Sequence, residues 1–225
     1  DIFPQNAGDL GMMSKSGFLY KLFRKKEERL YRVSDWIGCM SPANVEYVIR
    51  HNDFVDPHKV EVAPNSYELS PSKEVDRTQM RRKYGLPLDK PVFIYGGNLG
   101  KPQGIDFLIT CLDANSRRGD CHFIVVGSGT EYGKIERWIV EAKPGNVSLH
   151  AHLPKEDYDE LVQSCDVGLI FLDYRFTIPN FPSRLLGYID KKMPVVLATD
   201  PNTDMGRIAE ANGFRKACLS NDVEA

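Results

Sequence analysis

The amino-acid sequence predicts an α/β protein built on an open, doubly wound parallel sheet. Three observations predict it. Short apolar, β-branched runs recur from about residue 90 onward, each followed by a Gly or polar turn and then a longer amphipathic stretch. Most of the runs are continuously apolar rather than alternating, as strands covered on both faces read. Strands that alternate with helices of this length require crossover connections, and these give parallel pairing.

Taken in order, the chain opens on a polar stretch and then a long helix over 19–33, strongly basic through Lys21, Arg24, Lys25, Lys26, Arg29 and Arg32 against Glu27 and Glu28. Leu19, Leu22, Phe23 and Leu30 would form its apolar stripe. Such a helix either lies on an anionic membrane surface or packs with a solvated charged face. A strand at 36–40 and a helix at 43–50 follow. After His51-Asn52-Asp53 comes a linker-like passage that carries a strand at 60–63 and ends in Pro64-Asn65-Ser66. A polar stretch, Ser70-Pro71-Ser72-Lys73, precedes a helix at 77–84. The regular alternation then places strands at 92–95, 122–126, 147–150, 167–171 and 195–198. Helices fall at 103–115, 132–141, 155–164, 183–191 and 205–211. No repeat occurs at a fixed period.

A chain of 225 residues fits one large domain, or one domain with a piece of another. With 42% hydrophobic and 27% charged residues, it is neither disordered nor of low complexity. Lys+Arg 29 against Asp+Glu 31 leaves a net charge of -2, without the basic excess of a nucleic-acid binder. Five scattered cysteines with no C-x-x-C pair suit free thiols in a reducing compartment. No apolar run approaches the length of a membrane span. The chain lacks an initiator Met and any signal-peptide pattern, and it is expected to be a piece of a longer protein.

In a doubly wound sheet, ligands sit beyond the carboxyl ends of the strands. After the 92–95 strand comes Gly96-Gly97-Asn98-Leu99-Gly100-Lys101-Pro102-Gln103-Gly104, a turn whose backbone N–H groups could approach a phosphate. Its spacing is neither a P-loop nor a dinucleotide fingerprint. Gly127-Ser128-Gly129 follows the next strand, and GxG turns of this kind are also common without a ligand. The longest irregular stretch, 172–182, runs into a helix starting near Ser183-Arg184. There a Ser cap, free N–H groups and a guanidinium would together suit an anion; the alternative is a capped surface helix with a solvated Arg. His150 and His152 lack further ligands at metal-site spacing, and neither a G-x-S-x-G elbow nor an HExxH motif is present.

Several blocks together resemble the nucleotide-sugar-dependent glycosyltransferases of family 4, which have the two-domain GT-B fold. Ser34-Asp35-Trp36-Ile37-Gly38-Cys39-Met40-Ser41 is similar to the strand closing that family's first domain, and Lys59-Val60-Glu61-Val62-Ala63-Pro64-Asn65-Ser66 to the segment opening the second. Asp1-Ile2-Phe3-Pro4, the Gly97–Gly104 turn, Phe181-Pro182-Ser183-Arg184-Leu185 with Tyr188, and Pro194-Val195-Val196 resemble a branch devoted to bacterial surface polysaccharides. The resemblance implies that residues 1–52 are the tail of an N-terminal acceptor domain. It makes residues 53–225 a truncated, Rossmann-like nucleotide-sugar-binding domain, the C-terminal half of a GT-B fold.

It also implies a retaining transferase working from a UDP- or GDP-sugar, with no cofactor and no metal. The acceptor would be a saccharide or lipid-linked saccharide, and nucleic acid is no partner. The location implied is cytoplasmic, with peripheral contact on the inner face of the plasma membrane. Diphosphate contacts would come from Gly97, Asn98, Gly100, Lys101, Gln103, Ser183 and Arg184. The nucleoside and sugar would lie against Gly127, Gly129, Leu153, Pro179, Asn180, Phe181 and Gly187. The family's usual Arg and Lys fall on Asn98 and Gln103, and its two glutamates on Pro179 and Gly187, the latter at the ribose. No catalytic side chain is assigned. Two alternatives stay open: a non-catalytic module with a decayed donor site, which Gly187 favours, and a sugar-nucleotide epimerase of the same architecture.

Overall fold

A computed structural model describes residues 2–66, 68, 74–213 and 215–223. The polar stretch Ser70-Pro71-Ser72-Lys73 and Asp1 of the opening tetrapeptide lie outside the described residues. The first unit holds α1 (Gln5–Asp9), α2 (Phe18–Val33), β1 (Ile37–Cys39), α3 (Pro42–His51) and β2 (Val60–Val62). Strands β1 and β2 pair in parallel, Ile37 opposite Val60 and Cys39 opposite Val62. Val55 and Val60 share a small core with Ile37, Cys39 and Val48. The strand after the linker-like passage lies beyond the boundary expected at residue 52; it pairs with β1 and adds Val60 to this core.

The second unit runs through α4 (Arg77–Lys83), β3 (Val92–Asn98), α5 (Ile105–Ala114), β4 (His122–Ser128), α6 (Tyr132–Ala142) and β5 (Val147–His150). It continues with α7 (Lys155–Ser164), β6 (Val167–Phe171), α8 (Arg184–Asp190), β7 (Val195–Thr199), α9 (Met205–Ala211) and β8 (Arg215–Leu219). Its six strands lie in the order β5-β4-β3-β6-β7-β8, all parallel. Strand order reverses between β3 and β6, which makes their carboxyl ends the switch point where such sheets bind ligands.

Successive strand residues point to opposite faces, and the two cores follow that rule. Ile94, Ile124, Ile170 and Leu197 meet Leu161 and Tyr188 on one face. Tyr95, Val125, Leu169 and Phe171 meet Leu108 and Ile135 on the other. Burial of both faces explains the continuous apolar runs.

The differences from expectation have local causes. Strand β3 extends through Gly96 and Gly97 to Asn98, because these residues keep pairing with Val126, Gly127 and Ser128. Helix α5 starts at Ile105 rather than 103: a short 3-10 turn, Lys101–Gln103, intervenes, and Gly104 takes a left-handed conformation at φ 58°. Strand β8 carries Lys216 and Cys218 on the sheet's edge, where charge protects an open strand and hides it from a search for apolar runs.

Candidate functional site

A cleft of about 790 Å³ opens at the switch point between α7 and α8. Three glycines without side chains, Gly96 and Gly97 on β3 and Gly187 on α8, help to make the room. A Cβ at Gly96 would lie 1.9 Å from the Tyr158 hydroxyl, so Tyr158 rests directly on the strand. Gly97 has φ +119°, a conformation that side chains rarely adopt, and Arg184 Nη2 comes within 3.4 Å of where its Cβ would be. The Arg184 guanidinium stacks over the Tyr95 ring at 4.7 Å. Its Nη1 is buried without a hydrogen-bond partner. A buried cationic donor left unmatched is costly, and such groups usually have a partner. An anion in the cleft would supply one.

The surrounding groups hold this arrangement. The Tyr188 hydroxyl donates to the Ile94 carbonyl at 3.3 Å, and the Tyr95 hydroxyl to the Asn98 carbonyl at 3.1 Å. Burial pushes the phenols of Tyr95, Tyr158 and Tyr188 up, so they remain protonated donors. Asn98 Nδ2 donates to Gln103 Oε1 at 3.2 Å across the turn.

The irregular segment after β6 is clamped from both units. Phe176 and Ile178 bury against Leu10. Asp9 accepts from the backbone N–H and the hydroxyl of Thr177, both at 2.8 Å. Asn44 donates to the Pro179 carbonyl at 2.8 Å, and Thr203 to the Asn180 carbonyl at 2.6 Å. The first unit adds Asn6 and Met40 to the cleft wall, and the segment after β2 adds Asn65 and Ser66.

Eight of the expected residues come together in this cleft: Gly97, Asn98, Gln103, Asn180, Phe181, Ser183, Arg184 and Gly187. Ser183 does not cap α8; it has helical φ and ψ, and its side chain makes no capping bond. Six others take different places. Gly100 supports the turn, its Cβ position 3.1 Å from Asn98 Nδ2. Lys101 is exposed on the 3-10 turn. Gly127 and Gly129 make room for the β3 turn, since a Cβ would lie 1.9 Å from the Gly97 oxygen and 2.3 Å from the Leu99 oxygen. Leu153 packs on the core. Pro179 is outside the lining and offers its carbonyl to Asn44. Among the described residues, no three His, Cys, Asp or Glu side chains gather as metal ligands.

The sequence reading missed Tyr95, which supports Arg184, and the lining residues Asn6, Lys155, Tyr158, Asp159 and Lys191. Lys155 and Asp159 form an i,i+4 ion pair on α7. The Gly96-Gly97 pair was the available signal for Tyr158: two glycines ending a buried strand mean that something lies on the backbone.

The family of group 1 glycosyl transferases matches residues 76–214. A relative named as glycosyltransferase WbjE from Pseudomonas aeruginosa is 21% identical across 100% of this chain and 56% of its own length. A protein of Escherichia coli (strain K12), WcaI, named as a colanic acid biosynthesis glycosyl transferase, is 24% identical over 72% of this chain and 40% of its own. The chain thus spans only about half the length of these relatives. The crystal structure of Anabaena Alr3699/HepE in complex with UDP and glucose superimposes with a TM-score of 0.68, at 17% identity, over 91% of this chain and 56% of that one. The extent of the family match and the parallel sheet with its cleft at the switch point agree: this chain belongs to the group 1 glycosyl transferases, with the GT-B architecture.

Proposed function

We propose that the chain is the donor-binding half of a retaining glycosyltransferase that extends a bacterial surface polysaccharide or its lipid-linked precursor. The observation that carries this reading is Arg184: a buried guanidinium whose Nη1 lacks a partner, beside the open backbone of Gly97. A nucleoside diphosphate would supply that partner, and the similar Anabaena protein was solved in complex with UDP. In the reaction, Arg184 would neutralise the departing diphosphate, and the clamped 172–183 segment would fix the donor sugar. Catalysis then comes from positioning and electrostatic stabilisation. This scheme uses the Arg184 guanidinium in place of a metal to neutralise the phosphates.

Calorimetric titration with UDP, GDP and ADP in the presence of EDTA tests the reading. Binding of at least one is expected. Absence of heat at millimolar ligand for all three sinks it.

A peripheral contact with anionic membrane suits α2. Phe18, Leu19, Leu30 and Val33 are exposed, beside exposed Lys21, Lys25 and Arg29. Among the described residues no helix is long and apolar enough to cross a membrane. Co-sedimentation with phosphatidylglycerol vesicles should fall when Lys21, Lys25 and Arg29 become Ser, and unchanged sedimentation would remove this role.

A further inference from the structure

We propose that Asn202 and Thr203, on the turn between β7 and α9, are positioning residues for the donor sugar: they hold in place the cleft wall formed by Phe176 and Asn180. The inference rests on the donor-site reading above and extends it to two residues outside the cleft lining. Thr203 Oγ1 donates to the Asn180 carbonyl and Asn202 Nδ2 to the Phe176 carbonyl, both at 2.6 Å. Phe176 and Asn180 are buried, and both line the cleft. They sit in irregular backbone, where no helix or sheet ladder satisfies a carbonyl and a side chain has to do so. One turn therefore anchors both ends of the stretch that faces the ligand.

The turn is itself fixed by the sheet. Asp200, buried just beyond the carboxyl end of β7, accepts the backbone N–H of Asn202 at 2.9 Å and that of Thr203 at 3.0 Å. An aspartate that bonds the backbone two and three residues on shapes a turn locally. Strand β7 lies between β6 and β8, so the two donors are carried by an interior strand. The Thr203 hydroxyl also accepts from the Met205 N–H at 3.3 Å, which aims its own hydrogen at Asn180. The wall they hold is uncharged, an aromatic ring and an amide, and suits a neutral polyhydroxyl ring while the diphosphate is drawn to Arg184. Pro179, beside Asn180, accepts from Asn44 of the first unit at 2.8 Å, so a sugar at this wall lies where the two units meet. A misplacement of about 1 Å is enough to lose such positioning.

The test is calorimetry on the 225-residue chain with UDP against UDP-glucose, UDP-galactose and UDP-N-acetylglucosamine, and with GDP against GDP-mannose. The quantity read is the ratio of Kd between each diphosphate and its sugar-bearing form. The unsubstituted chain should bind at least one sugar-bearing form about tenfold more tightly, as one or two hydrogen bonds to the sugar would give. Asn202→Ala and Thr203→Val should each bring that ratio within about threefold of unity and leave the affinity for the diphosphate unchanged. Thr203→Ser, which keeps the hydroxyl, should retain the ratio. Asn202 is exposed, so Asn202→Ala keeps the core and decides the matter if Thr203→Val does not fold. A ratio that survives Asn202→Ala overturns the proposal. So does a loss of affinity by the same factor for the diphosphate and its sugar-bearing form, which a purely structural turn would produce. Diphosphate binding with no sugar preference in the unsubstituted chain overturns the proposal and leaves the diphosphate site standing. Failure of every nucleotide to bind overturns the donor-site reading itself.

Discussion

Replacing Arg184 by Met separates a functional guanidinium from a structural one. In the unliganded chain the guanidinium gains from its stack on Tyr95 at 4.7 Å, about 0.5–2 kcal/mol. Against this stands Nη1, buried without a partner, which costs about 1–3 kcal/mol. Met keeps much of the contact with the aromatic ring through its thioether and removes the unmatched donor. The two contributions oppose each other and are of similar size, so the thermal midpoint of Arg184→Met should hold steady or rise. With a nucleoside diphosphate the balance differs: losing a charge-assisted hydrogen bond removes about 1.5–3 kcal/mol, which is about a 10- to 150-fold weaker Kd. Arg184→Lys should recover part of the affinity by restoring charge without the planar fork. The assay is calorimetric titration beside a melting curve on the same samples. A midpoint lowered by more than about 4 °C, at about 2–4 °C per kcal/mol for a chain of this size, with affinity unchanged, would show that Arg184 serves the fold.

Three further outcomes follow from the same geometry. Gly187→Glu should tighten nucleoside diphosphate binding by about tenfold, since its Cβ meets nothing within 4 Å. Gly187→Ala should not; equal affinities in a titration would refute a ribose position beside α8. Gly96→Ala must displace Tyr158, whose hydroxyl would lie 1.9 Å from the new Cβ. A cost of about 1–3 kcal/mol should appear in denaturant unfolding, and an unaltered midpoint would mean that Tyr158 moves freely. Asp200, 2% exposed, has its carboxyl pushed up by burial to about 6. An acid raised above its unfolded value costs the folded state when ionised, so stability should fall by up to about 3 kcal/mol as pH rises from about 4 through 6. Asp200→Asn should flatten that slope and stabilise the chain at pH 7. A slope that survives the substitution, measured by melting across that range, would refute the attribution.

The sheet was legible because burial on both faces leaves an uninterrupted apolar signature in β3, β4, β6 and β7. Strand β8 was not, since an edge strand needs only one partner and here carries charge. Helix α1 was not either: Gln5–Asp9 is one turn and a half, too short for a period. The cleft was legible through backbone geometry, in Gly97 and the 172–183 segment, and through Arg184, a buried cation that lines it. Gly127 and Gly129 show the limit of that reasoning. Glycines after a strand signal a close approach, and the sequence does not say whether a ligand or a neighbouring backbone is what approaches. In both cases it is the β3 turn. Tyr158 and Asp159 were hidden because α7 meets the site only once the crossover from β5 to β6 carries it beside α8.

The most direct measurement is the location of a bound nucleoside diphosphate, by a crystal structure of the complex formed in EDTA. The sheet's opposite end bears a second groove lined by Lys90, Arg117, Arg118 and Lys143, which could also attract phosphate. The account predicts the diphosphate within hydrogen-bond distance of Arg184 Nη1 above Gly97. A nucleotide seated instead among Lys90, Arg117 and Lys143, with Arg184 unchanged, would contradict it.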